Sequence, residues 1–206
     1  MKPWVLVDTA ETADGKTISL LEHDGTRVIR VDGLELMSTR RHLSEEKLAQ
    51  LACAHLADKR NARVLIGGLG FGFTLDAALA ITPPDTHVVV AELLEAVVRW
   101  NARPSVDRVS IVQRDVVEVI NESKAAYDSI ILDVDNGPEA LTSSGNERLY
   151  HDTGLLATKN ALKPGGCAAW WSAAANPAFA KRVAHAGFQS ETHRAGGHTI
   201  LLGRKR

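Results

Sequence analysis

The sequence predicts an α/β protein. A mostly parallel sheet, covered by helices on both faces, follows a short β-meander and ends in an antiparallel hairpin. Three observations carry this. From residue 63 onward, short runs that are apolar throughout alternate with helical segments, the pattern of strands buried on both faces. Before them, three apolar runs are separated by Asp-Gly pairs, a strong hairpin signal. After them, two strand-like runs flank Gly196-Gly197.

In order, the meander occupies 4–7, 16–22 and 26–31, turning at Asp14-Gly15 and Asp24-Gly25 and closing at Asp32-Gly33. Ser44 is the residue type of a helix N-cap, and a helix is expected from it to about residue 59. Its apolar stripe holds Leu48, Leu51, Ala52 and Leu56, with His55 at the edge. Strands are expected at 63–68, 87–92, 109–115, 129–135 and 166–172, with helices at 74–81, 93–102, 116–122 and 146–162 between them. Lys163-Pro164-Gly165-Gly166 reads as a helix stop and a turn. Asn176 then caps a helix with Pro177 at its first position, ending at Gly187. The closing hairpin is 188–194 with 198–203. The expected division is a small β-hairpin region, 1–43, and an α/β domain, 44–206.

Composition excludes several classes of function. The chain has 206 residues, 45% hydrophobic and 24% charged, enough for one full core with a small appendage. A net charge of −1 gives no electrostatic case for nucleic acid or a membrane surface, and the basic "GRKR" end reads as a solvated tail. Cys53 and Cys167 form no CxxC or Cys/His spacing, and the eight histidines show no ligand pattern, so neither a disulfide framework nor a metal is expected. No run approaches a membrane span, and Asp8 interrupts the first apolar run, which points to a cytoplasmic protein. "ADGKT" ends like a phosphate-binding loop, but Ala10 stands where its first glycine belongs and a strand follows.

In a sheet of this kind, ligands sit beyond the carboxyl ends of the strands. The first parallel strand runs into "GGLGFGF", with Gly68, Gly70 and Gly72 at alternate positions; glycines there allow a tight turn and close backbone approach. Phe73 breaks the dinucleotide fingerprint G-x-G-x-x-G. The second strand ends in Glu92, 20 residues after Gly72 (92 − 72), the distance at which an acid takes ribose hydroxyls. The third ends in Asp115, placed to accept from an exocyclic amine, and the fourth in Asp133 and Asp135. Each has a plain structural alternative. The glycines could serve packing, Glu92 a helix dipole, Asp115 an N-cap, and the last two acids a turn. Together they favour a nucleoside site.

These residues resemble the Rossmann-like class I S-adenosylmethionine-dependent methyltransferase fold, and within it the spermidine synthase (polyamine aminopropyltransferase) branch. "VLIGGLGFGFTL" is similar to that branch's glycine motif, "VVVAELLEAVVRWN" to its ribose-binding strand and helix, and "YDSIILDVDNGPEAL" with "LLATKNALKPGG" to its catalytic strand and next helix. "VDGLELMSTRRHLSEE" resembles the junction with its N-terminal β-domain. The resemblance implies that Gly68, Gly70 and Gly72 flank the nucleoside, Glu92 binds its ribose and Asp115 its adenine. It implies that Asp133 is the catalytic base, with Asp135 as a neighbouring carboxylate. The cosubstrate implied is S-adenosylmethionine or its decarboxylated form, without metal. The implied partners are a small amine acceptor and a second copy in a homodimer. The chain departs from the pattern at Phe71 and Asn136, where the family carries acids, and at Leu36 and Glu45, where it carries glutamine and tyrosine.

Aminopropyl and methyl transfer are both in-line displacements at carbon beside a positive sulfur, so the protein supplies orientation and a proton acceptor. Three readings stay open: aminopropyl transfer to a small amine; methyl transfer from S-adenosylmethionine to a small molecule, for which Phe71 argues; and a non-catalytic nucleoside-binding or scaffold protein. Of the adjacent Trp170 and Trp171, which point to opposite faces, one is expected in the core and the other is a candidate for the acceptor pocket.

Overall fold

The computed structural model describes residues 3–101, 106–134 and 146–206. Asp135 and Asn136 lie outside them. The N-terminal sheet is antiparallel, in the order β1 (Val5–Glu11), β2 (Thr17–His23), β3 (Thr26–Val31) and β4 (Leu34–Ser38). The turns after β2 and β3 place Asp24 and Gly25 (φ 46° and 76°), then Asp32 and Gly33 (47° and 83°), in the left-handed region that tight hairpins require. Strand β4 exceeds the three runs expected. Leu34 and Glu35 are exposed while Leu36 and Met37 are half-buried, so the strand has no period-2 pattern to read.

The seven-stranded sheet runs β10-β11-β9-β8-β5-β6-β7. Strands β5 (Arg63–Gly67), β6 (His87–Glu92), β7 (Val109–Gln113), β8 (Tyr127–Leu132) and β9 (Leu162–Ser172) are parallel; β10 (Phe188–Ala195) and β11 (His198–Lys205) add the antiparallel edge. The chain starts at β5, builds outward to β7, then returns to lay β8 on the other side of β5. That reversal opens a crevice beyond the tips of β5 and β8.

Alternate residues on each strand enter two separate cores. Val64, Ile66, Val88, Val90 and Ile131 face one side, packed with Ile18, Leu20 and Ile29 of the N-terminal sheet and Leu48 of α1 (Leu43–Cys53). Leu65, Val89, Ile130, Leu132 and Trp170 face the other. That second face is covered by α4 (Val116–Asn121), α5 (Asp152–Ala161) and α6 (Pro177–His185). Helices α2 (Phe73–Ile81) and α3 (Glu95–Trp100) complete the first layer. Asp8 of β1 ties the N-terminal sheet to α3, accepting from Trp100 Nε1 at 2.7 Å and Arg99 at 2.9 Å, which hold its carboxyl down at about 2.

The near end of β8 is clamped. Fully buried Asp128 accepts from the Arg63 N–H at 2.8 Å and Lys163 Nζ at 2.6 Å, and pairs with Lys59 Nζ at 2.7 Å. Burial alone would raise its carboxyl, but the two ammonium groups and the N–H outweigh it and hold it below the ordinary range.

Three local expectations are corrected. Helix α1 starts after His42, whose side chain makes no capping bond, so Ser44 lies within the helix and not at its N-cap, and α1 passes after Cys53 into a 3-10 turn at Ala54–Leu56. The predicted helix 146–162 divides into a 3-10 turn, Asn146–Tyr150, and α5. Lys163-Pro164-Gly165-Gly166 is not a turn but a bulge inside β9: Leu162 pairs with Tyr127, pairing resumes at Cys167 with Ser129, and Gly165 (φ 74°) takes the slack.

Candidate active site

The glycine turn after β5 is locked to the tip of β8. The Asp133 N–H donates to Gly67 O at 2.9 Å and the Gly68 N–H to Ala91 O at 2.9 Å. Gly68 has φ +89°, and a Cβ on it would stand 2.3 Å from Asp133 O, so the two strand tips close only over a glycine. Gly70 passes beneath Met37 of β4; a Cβ there would meet Met37 Cε at 2.3 Å. Gly72 (φ 85°) is the N-cap of α2 and does not line the cavity. Phe71 packs against the first core and meets Phe73 edge-on, ring centroids 6.3 Å apart.

Gly68, Gly70, Glu92, Asp115 and Asp133 line one cavity at the crevice. Glu92, 8% exposed, accepts from the Leu69 N–H at 2.8 Å through one oxygen and the Leu94 N–H at 2.9 Å through the other. Burial nevertheless pushes its carboxyl above the usual range. Asp115 lines the cavity and also caps α4, accepting from the Val117 N–H at 2.8 Å, while its other oxygen meets Arg148 at 2.9 Å.

Asp133 accepts from Thr74 Oγ1 at 2.5 Å. Its carboxyl is pushed up to about 7, chiefly by withdrawal from water; the Thr74 hydroxyl pulls it down and the negative charge of Glu45 pushes it up. A carboxyl titrating there is neutral or charged with small changes in its surroundings, as an acid–base group at neutral pH requires.

The N-terminal segment supplies the opposite wall with Ile29, Leu36, Met37 and Glu45. Glu45 is 8% exposed and accepts from Ser44 Oγ at 2.5 Å. Leu36 and Glu45 are positions where the chain departs from the pattern it resembles, whereas Ile29 and Met37 carry no mark in the sequence. One signal was available: Glu45 lies three, four and seven residues before Leu48, Ala49 and Ala52, an acid on the buried stripe of α1. Trp170 is core, 1% exposed, and Trp171 lines the cavity with its ring 4.6 Å from that of His198. Among the described residues, no group of three or more His, Cys, Asp or Glu is gathered to hold a metal.

No protein-family model and no curated protein matches the sequence. Solved structures share its fold. A spermidine synthase in complex with the transition-state analogue AdoDATO superposes with a TM-score of 0.76 and 17% identity, over 98% of this chain and 72% of its own. Spermidine synthase from Thermotoga maritima gives 0.77 and 18%, over 98% and 73%. A probable spermidine synthase from Corynebacterium glutamicum gives 0.69 and 19%, over 96% and 79%. The chain therefore has the Rossmann-like class I methyltransferase fold in its spermidine-synthase-like form, N-terminal sheet included.

Proposed function

We propose that the protein is a transferase that moves an aminopropyl group from decarboxylated S-adenosylmethionine to a small amine. The observation that carries the reading is Asp133. Its carboxyl stands at the switch point of the sheet, oriented by Thr74, tuned to about 7, and lines the same cavity as Glu92 and the glycine turn. Gly68 and Gly70 leave room for the nucleoside, Glu92 takes its ribose and Asp115 its adenine. An acceptor amine carries its proton in water, with a pKa of ~10. Asp133 attracts the ammonium and takes that proton. The freed nitrogen pair attacks the carbon beside sulfur, and the carbon–sulfur bond breaks with its electrons returning to sulfur. The leaving group is a neutral thioether nucleoside and needs no acid.

One observation favours a second reading, methyl transfer from S-adenosylmethionine. Phe71 faces the first core where the resemblance calls for an acid to hold the aminopropyl ammonium. Calorimetric titration with both nucleosides separates the two. Tighter binding of the decarboxylated form is the expected outcome; preference for S-adenosylmethionine would replace aminopropyl with methyl transfer. Binding of neither would leave only the non-catalytic scaffold.

The division into 1–43 and 44–206 is likewise proposed, supported by the passage from β4 into α1. So is a cytoplasmic homodimer. Free, buried Cys53 and Cys167 support the compartment, and edge strand β1, with Val5, Leu6 and Val7 all exposed, supports the dimer.

A further inference from the structure

Resting on the transferase reading, we propose that Glu45 selects the acceptor: with Asp133 it forms a two-carboxylate seat for the ammonium of an amine, and Ser44 and His198 hold it in place. Glu45 belongs to α1 and Asp133 to the tip of β8, yet both line the cavity, and the Glu45 charge is felt at Asp133. Two carboxylates lining one cavity repel, and a cation seated there removes the repulsion. Ile29, Leu36 and Met37 form the apolar wall on the same side, which suits the carbon chain of an alkylamine.

The aim of Glu45 is set by a short relay. Ser44 Oγ has one proton and donates it to Glu45, so its oxygen is left to accept, and His198 Nδ1, 3.1 Å away, is the donor. This fixes the proton of His198 on Nδ1, and the ring is held against Trp171, a cavity residue. Residues 44, 45, 171 and 198 thus act as one unit. Ser44 lies inside α1 and not at its N-cap, and its hydroxyl serves the carboxylate.

The test titrates 1,4-diaminobutane, 1,3-diaminopropane and 1-aminobutane calorimetrically into wild type, Glu45→Gln, Ser44→Ala and the double variant, each saturated with 5′-methylthioadenosine. The expected result is that Glu45→Gln weakens the best amine by about tenfold or more, ~1.4 kcal/mol, while nucleoside affinity stays within about twofold. Ser44→Ala is expected to cost about threefold alone and nothing further on top of Glu45→Gln, the signature of a residue acting through another. Unchanged amine affinity in Glu45→Gln overturns the assignment and leaves the transferase reading standing. Equal loss of amine and nucleoside makes Glu45 structural and also overturns it. A wild type that binds the nucleoside but none of the three amines overturns it too. A wild type that binds no nucleoside removes the transferase reading itself.

Discussion

Glu92 and Asp133 both stand at the tips of buried parallel strands, and burial raises both carboxyls, but their partners differ in kind. Glu92 is braced by two main-chain N–H groups, from Leu69 and Leu94, which no single substitution of those residues except to proline removes. The Asp133 carboxyl is instead oriented by a side chain, the Thr74 hydroxyl, and feels the charge of another, Glu45. On the proposed transferase reading, the nucleoside end of the cavity is fixed by the fold, whereas the acceptor end is adjustable by mutation, so that one backbone geometry would keep its cosubstrate while its acceptor changes.

The largest effect that would sharpen this contrast is Asp133→Asn. Steady-state transfer should fall by about 10²–10⁴-fold with nucleoside affinity within about twofold; intact turnover would remove Asp133 as the base. Glu92→Gln should do the reverse. Loss of the charged acceptor proposed for the ribose hydroxyls, about 1.5–3 kcal/mol, should weaken the nucleoside by roughly 10- to 10²-fold in calorimetry. An unchanged affinity would reduce Glu92 to a brace between strands. Gly68→Ala should lower stability in urea unfolding by about 1–3 kcal/mol for its φ alone, and more for the contact with Asp133 O. Gly33→Ala, at φ +83° but with open space around it, should cost only the first part. Equal losses would mean that the two strand tips are less tightly closed than the geometry requires.

The smallest effects concern pH. On the transferase reading deprotonated Asp133 is the active form, so kcat/KM should be lost as pH falls through about 7 in the free protein. Thr74→Val removes a donor to the charged form and should move the midpoint toward alkaline pH. Glu45→Gln removes a repelling charge and should move it toward acid. Stability carries its own sign: a carboxyl raised in the folded state binds its proton more tightly there. Asp133 therefore costs nothing well below the ordinary aspartate value of 3.8 and its full penalty above about 7. Asp133→Asn should flatten that part of the stability–pH curve in denaturant titrations.

The same contrast explains what could be read in the sequence. Glycines at 68, 70 and 72 and acids at 92, 115 and 133 occupy strand ends, and strand ends are visible as the edges of apolar runs. The opposing wall was mostly hidden because it joins positions far apart. Ile29, Met37 and Glu45 meet Asp133 only after β4 has paired with β3 and α1 has packed beneath the sheet. Ser44 was misread for a related reason: its residue type fits a cap, but the partner that decides its role is His198, on the last strand. The β9 bulge was hidden by its own composition, since Pro-Gly-Gly signals a stop whether the chain turns or only shifts register.

Strand β8 is tethered at both ends. Lys59, Lys163 and the Arg63 N–H grip Asp128 at its foot, and the Gly67 carbonyl and Thr74 hold Asp133 at its head. Such a strand is expected to have little play along its length. Slackening the foot, for example by Lys163→Met, would let the head wander without altering any group in the cavity. Injuries to that distant clamp would then surface as lost turnover before lost affinity, imitating damage to the reacting groups themselves.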